Sequence, residues 1–208
     1  SEPELAQAVN SIAPKILAEE AKKLGIVLIH YSTDYVYGGE TQNTPYRECD
    51  LPAPISVYGK TKLAGESALI EIMPNNAVII RTGWVYSEFG NNFVDTMIRL
   101  SASRDNLKVV NDQIGSPTYA NDLAETIVSI INSEKLLENT FPTQIYHYTN
   151  LGQCSWYEFA KAIFSFSDIS CNVSPIPTEE YPLPAKRPKF SVLNKDKIIK
   201  TFNLNISK

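Results

Sequence analysis

Two short apolar runs and the helix between them set the fold. Ile26-Val27-Leu28-Ile29-His30-Tyr31 and Ala77-Val78-Ile79-Ile80-Arg81-Thr82 are nearly unbroken apolar stretches. That is the pattern of strands buried on both faces of a parallel sheet, not the alternation of a half-exposed strand. Between them a helix is predicted from about Val57 to Met73, ended by Pro74. Strand, helix and strand at this separation predict a βαβ unit with a right-handed crossover. Ligands of such sheets gather at the carboxyl ends of the strands. The first run empties into Ser32-Thr33-Asp34 and the second into Gly83-Trp84, so Thr33, Asp34 and Trp84 are predicted to converge there.

The rest of the chain extends this α/β pattern. Leu5, Val9, Ile12, Ile16, Leu17, Ala21 and Leu24 recur at helical spacing and predict a helix over 3–24, stopped by Gly25. Pro14 lies inside it and has no N–H to give, so the carbonyl of Asn10 is expected to be free, with a harmless kink as the simpler outcome. Further helices are predicted at about 91–104, 119–133, 155–166 (N-capped by Ser155) and 195–202, with strands at 107–110 and 144–148.

Composition excludes several functions. The chain has 208 residues, a net charge of −4 and no basic run, which argues against nucleic acid or an anionic membrane as a partner. No apolar run approaches the ~18 residues of a membrane span. Cys49, Cys154 and Cys171 are odd in number and lack metal-ligand spacing, so they read as free thiols of a cytoplasmic protein. His30 and His147 each sit in a strand-like run and read as structural. No metal site is located.

The chemistry lies in Thr33, Tyr58 and Lys62. Residues four apart on a helix share a face, so Tyr58 and Lys62 point the same way. A lysine ammonium close to a phenol is expected to lower its pKa and tune it for proton transfer. The Thr33 hydroxyl is placed to share the same carbonyl oxygen. Spacing alone is weak: with 11 tyrosines in the chain, about one Tyr-x-x-x-Lys pair arises by chance. Tyr157 and Lys161 form a second such pair, but Trp156, Phe159, Ala160 and Ile163 around them indicate core packing. Tyr58 and Lys62 differ in following a strand that ends in a hydroxyl.

A strand-end hydroxyl with Tyr-x-x-x-Lys on the next helix resembles the extended short-chain dehydrogenase/reductases that act on nucleotide-sugars. The strings Ser32-Thr33-Asp34-Tyr35-Val36-Tyr37, Arg81-Thr82-Gly83-Trp84-Val85-Tyr86 and Asp112-Gln113-Ile114-Gly115-Ser116-Pro117-Thr118 narrow the resemblance. So do Ser155-Trp156-Tyr157-Glu158-Phe159-Ala160 and Arg187-Pro188-Lys189-Phe190-Ser191. Together they resemble the dTDP-4-dehydrorhamnose reductase family over nearly the whole chain.

The resemblance implies reduction of the C4 ketone of dTDP-4-dehydro-6-deoxy-L-mannose to dTDP-L-rhamnose by NADPH, with NADH as a substitute and Mg2+ as a possible addition. Tyr58 would be the proton donor, and Lys62 its partner and a holder of the nicotinamide ribose. Thr33 would tune the acid and bind substrate, and Asp34 and Trp84 would contact the sugar. The loop from Gln113 to Thr118 and Arg187 would face the nucleotide or diphosphate. The Asn10 carbonyl resembles the relay asparagine of the wider superfamily. The fold implied is an incomplete doubly wound, Rossmann-like parallel sheet with a smaller α/β substrate-binding lobe. Residues 1–87 and 107–150 would form the NAD(P)-binding part, and 88–106 and 151–208 the lobe. Two other functions fit the same motif order: a nucleotide-sugar epimerase or dehydratase, and a non-catalytic regulatory subunit resembling the methionine adenosyltransferase β subunit.

The sequence departs from the family in one respect. Its nine glycines form no G-x-G-x-x-G or G-x-x-G-x-x-G turn, so the diphosphate site at the first helix N-terminus is expected to be missing. The strand at 26–31 should then be a bare sheet edge. It is expected to be covered by an N-terminal segment, lost or carried on another chain, or by a homodimer contact.

Overall fold

The computed structural model describes residues 2–39, 42–138 and 140–208. In chain order, α1 (Pro3–Gln7) and α2 (Ala13–Leu24) flank a π-helical segment, Ala8–Ile12. Strand β1 (Leu28–Thr33), helix α3 (Val57–Ile72) and strand β2 (Ala77–Thr82) follow. The middle of the chain holds β3 (Val85–Tyr86), α4 (Phe93–Ser101), β4 (Asn106–Val110), β5 (Ile114–Gly115), β6 (Thr118–Tyr119), α5 (Ala120–Ile131) and α6 (Glu134–Leu137). Then come β7 (Gln144–His147), β8 (Cys154–Ser155), α7 (Trp156–Phe166), β9 (Asn172–Ile176) and α8 (Asp196–Phe202).

The predicted βαβ unit forms. β1, β2 and β7 make a parallel sheet in that order, with Thr33 opposite Thr82 and Arg81 opposite His147. β2 is central and buried at every position. Its side chains alternate between two layers. Val78 and Ile80 pack with Leu123, Ile127 and Ile130 of α5 and Ile198 of α8. Ala77 and Ile79 pack with Ala18 and Ala21 of α2, Leu69 of α3 and Met73 just after it. Helices therefore cover both faces of the sheet.

A third cluster joins Met97 of α4, Leu107 and Val109 of β4, and Ala160, Ile163 and Phe164 of α7. Here β4 pairs with β9 in parallel, so the strand expected at 107–110 stands apart from the three-stranded sheet. α7 starts where expected: the Ser155 side chain accepts from the Glu158 N–H at 3.1 Å and the Glu158 carboxylate accepts from the Ser155 N–H at 2.7 Å, a reciprocal capping box.

Two local departures have clear causes. The first strand begins two residues later than its apolar run and extends to Thr33. Gly25, at φ 65°, ends α2 with its N–H on Lys22 and the Ile26 N–H on Ala21, which draws residues 25–27 into the helix exit. At Pro14 the helix does not merely kink. It widens into the π-helical segment that precedes the proline, a rare helical form found mostly as single-turn bulges inside α-helices. The Asn10 carbonyl is turned toward α3, where a Cβ at Gly65 would collide with it.

Candidate active site

The site is built at the carboxyl end of β1. Thr33 ends the strand and caps the 3₁₀ turn Asp34–Val36, its hydroxyl accepting from the Tyr35 N–H at 3.1 Å and donating to Asp34 Oδ1 at 3.1 Å. Helix α3 starts nearby, N-capped by Ser56, whose hydroxyl accepts from the Gly59 N–H at 3.1 Å. That cap places Tyr58 in the first turn, within hydrogen-bonding reach of the Thr33 side chain. Tyr58 remains 45% exposed as a residue. Tyr35 closes the other side, its ring meeting that of Tyr58 edge-on at 5.8 Å. Burial pushes the Tyr35 phenol up to about 12, against the opposing charge of nearby Arg187.

Thr33, Tyr58 and Lys62 are therefore brought together, but one expectation is corrected. The Tyr58 pKa is raised, not lowered as the spacing suggested. Lys62 Nζ donates to the Tyr31 carbonyl at 2.6 Å, and burial raises the Tyr58 pKa, with the Thr33 hydrogen bond opposing and the Asp34 charge reinforcing. Burial lowers the Lys62 pKa in turn. The physical reason is that Lys62 satisfies a strand carbonyl first, while Tyr58 loses solvent to Thr33, Tyr35 and α3. At neutral pH the phenol is protonated and poised to donate.

Asp34 lies beneath the site, not in it. It is 2% exposed, and a Cβ at Gly83 would overlap its carboxyl group. Among the described residues its Oδ2 has no hydrogen-bond partner. Burial pushes its carboxyl up to about 6, against hydrogen bonds from Ser191 and Thr33. Trp84 is half-buried, adopts φ 50°, and stacks on Trp156 at 3.4 Å between ring centroids. Gly115 makes room for it: any Cβ there would strike the indole.

The loop from Gln113 to Thr118 is turned inward. Gln113 Nε2 donates to Thr178 Oγ1 at 3.1 Å, Ser116 Oγ to the Gly152 carbonyl at 2.6 Å and Thr118 Oγ1 to the Gly83 carbonyl at 2.6 Å. These three side chains are buried. Asn10 contacts the site from the far side of α3: its Nδ2 donates to Thr61 Oγ1 at 3.1 Å, and that hydroxyl donates to the Tyr58 carbonyl at 3.0 Å. His147 is structural, as read from the sequence. Burial pushes its pKa down to about 3, with the Arg81 charge acting the same way.

Sequence reading missed a buried ion pair between Arg81 and Glu66. The available signal was Arg81 itself, a charge inside an otherwise apolar run, which demands a buried partner. Among the described residues no three His, Cys, Asp or Glu side chains cluster to hold a metal.

The sequence profile of the RmlD substrate binding domain matches residues 1–208. The chain belongs to that family. It is 43% identical over 210 residues to a dTDP-4-dehydrorhamnose reductase of Sinorhizobium fredii, covering 99% of this chain and 70% of that one. It is also 43% identical over 189 residues to the spore coat polysaccharide biosynthesis protein SpsK of Bacillus subtilis, covering 91% of this chain and 63% of the relative. A crystal structure of dTDP-4-dehydrorhamnose reductase from Bacillus anthracis in complex with NADP superposes with a TM-score of 0.90 at 41% identity, over 100% of this chain and 70% of that one. The chain thus spans about two thirds of the length of these members of the RmlD family.

Proposed function

We propose that this chain carries the proton-donating part of a reductase that converts dTDP-4-dehydro-6-deoxy-L-mannose to dTDP-L-rhamnose with NADPH. One observation carries the reading. A protonated, half-exposed Tyr58 stands within hydrogen-bonding reach of Thr33 at a strand end, with Lys62 one turn behind it. NADPH, when bound, supplies the hydride to C4. Tyr58 then gives its proton to the O4 that develops negative charge, and the Thr33 hydroxyl, turning its one proton from Asp34 Oδ1 to the substrate, steadies the same oxygen. Lys62 is the residue proposed to hold the nicotinamide ribose, since its ammonium is partly exposed beside Tyr58. Trp84 and Trp156 offer a flat, rigid wall for the sugar. Asp34 supports Thr33 from below.

Residues 1–87, with β7 completing the sheet, are proposed as the catalytic side, and the cluster of α4, β4, α7 and β9 as the lobe that receives the sugar. The diphosphate of NADPH finds no Gly-rich turn in this sequence. We therefore propose that it is bound by further strands pairing with the open edge of β1. No helix among the described residues is long and apolar enough to cross a membrane, and three free cysteines favour a reducing, cytoplasmic setting.

The test is NADPH oxidation with the dTDP-4-keto sugar, measured on this chain and on a longer form that includes a dinucleotide-binding segment. Activity is expected in the longer form and is expected to drop by about 10²–10⁴-fold in Tyr58→Phe. A Tyr58→Phe protein that turns over normally would remove the reading, and no turnover in either form would favour a regulatory subunit.

A further inference from the structure

A chain of buried polar side chains links all three strands of the sheet to α3. Arg81 on β2 is 2% exposed and Glu66 on α3 is 1% exposed. Arg81 Nε donates to Glu66 Oε1 at 3.0 Å and Nη2 to Glu66 Oε2 at 2.6 Å, a bidentate clamp. Ser32 Oγ on β1 donates to the same Glu66 Oε1. The third arm, Arg81 Nη1, donates to the Tyr37 hydroxyl at 2.6 Å.

The direction of the remaining bonds follows. His147 Nδ1 lies 3.2 Å from the Tyr46 carbonyl, which can only accept. The imidazole proton is therefore on Nδ1, and Nε2 accepts from the Tyr37 hydroxyl at 3.0 Å. The Tyr37 hydroxyl also lies 3.0 Å from the Arg47 carbonyl, so its one proton is shared between that carbonyl and His147 Nε2.

A buried ion pair contributes little to stability that apolar packing could not, and in some proteins it serves to fix geometry instead. This one joins the helix that carries Tyr58 and Lys62 to the sheet. Glu66 follows Lys62 by four residues and Tyr58 by eight, on one face of α3. Ser32, which holds Glu66 from β1, directly precedes Thr33.

We propose that Glu66, clamped by Arg81 and Ser32, is a positioning residue for the Tyr58–Lys62 pair: it sets α3 against the end of β1 and keeps a negative charge one turn behind the Lys62 ammonium. The proposal rests on the reductase reading for its purpose but not for its measurement. The groups facing Lys62 are Tyr58 and Glu66 from α3, His30 and the Tyr31 carbonyl from β1, and Arg81 of β2 behind Glu66. Burial, aided by the Lys62 charge, pushes His30 down to about 4, so it is neutral at working pH. Burial alone would lower the Lys62 pKa, and the Glu66 charge opposes that.

The experiment is competitive labelling of Lys62 with acetic anhydride across pH, read by peptide mass spectrometry, in wild type, Glu66→Gln and the double variant Glu66→Gln/Arg81→Gln. Lys62 in the wild type is expected to be largely protonated at neutral pH, and its labelling midpoint is expected to move down in both variants. The double variant serves because it leaves no buried unpaired charge if Glu66→Gln alone fails to fold. A midpoint that stays in place in either folded variant overturns the proposal, as does a wild-type midpoint below neutral pH. In the NADPH-dependent assay, Glu66→Gln is expected to lose kcat progressively toward high pH with the KM for the sugar little changed. A uniform loss at every pH would mark Glu66 as structural only. A shifted midpoint in a protein with no reductase activity would keep the positioning role and remove the reductase reading instead.

Discussion

At the residue scale, Asp34 makes a prediction opposite in sign to that of an ordinary carboxylate. Burial raises its carboxyl from 3.8 to about 6. Between those values the unfolded chain has released the proton while the folded protein keeps it. The folded state binds more protons, so stability from this group is complete below the unfolded value and is lost as pH rises through about 6. His147 acts the other way: its folded value of about 3 lies below the ordinary 6.5, so its contribution grows as pH rises through that window. Comparing wild type with Asp34→Asn isolates the first effect. Stability of the wild type relative to the variant is expected to fall by about 2 kcal/mol between pH 4 and 6.5, read from urea midpoints. A flat difference curve would show that Asp34 is not the buried acid described above. Thr33 and Tyr58 were legible because their residue types carry chemistry. Asp34 was legible as a residue but not as a buried one, since depth depends on Gly83 packing against it.

At the element scale, α3 is pressed against its neighbours at two glycines, and the two should separate chemistry from stability. A Cβ at Gly59 would collide with the Tyr35 carbonyl, and one at Gly65 with the Asn10 carbonyl. Gly59 adjoins Tyr58, so Gly59→Ala is expected to lift the first turn of α3 away from Thr33. Misplacement by about 1 Å costs up to about 10²-fold in kcat. Gly65→Ala instead pushes on the π-helical segment and is expected to cost about 1–3 kcal/mol of stability with a smaller change in kcat. Thermal melts and steady-state assays of both variants check this, and equal kcat losses would defeat it. The sequence made the helices and the central strands legible, because Ala77–Thr82 is apolar throughout and Ser155 and Glu158 sit at capping distance. It did not show the π-helical segment, since Pro14 says where a donor is missing and not how the backbone adjusts. Nor did it show the Glu66–Arg81 pair, which joins elements whose relative placement only the fold defines.

At the scale of the whole molecule, the open edge of β1 governs behaviour. β1 pairs only with β2 among the described residues, and Ile26, Val27 and Tyr31 are 52%, 39% and 44% exposed. Val27, Ile29 and Tyr31 also line an apolar groove with Ile127, Ile131 and Leu136. An edge strand with unpaired backbone groups and apolar flanks recruits another strand. The 208-residue chain alone is therefore expected to self-associate as its concentration rises, and Val27→Lys, placing a charge in the apolar groove just before β1, is expected to suppress it. Sedimentation at several concentrations distinguishes the two. The same edge is where we propose the cofactor-binding segment docks. With no Gly-rich turn in the sequence, NADPH fluorescence is expected to show no saturation with this chain alone, and to saturate once a segment supplying further strands occupies β1. In that occupied form Val27→Lys should weaken NADPH binding while leaving Tyr58 and Thr33 in register, because the charge disturbs the docked segment and not the strand end. Saturable NADPH binding by the isolated chain would place the diphosphate site on residues 1–208 and overturn the assignment of that site to strands docked on β1.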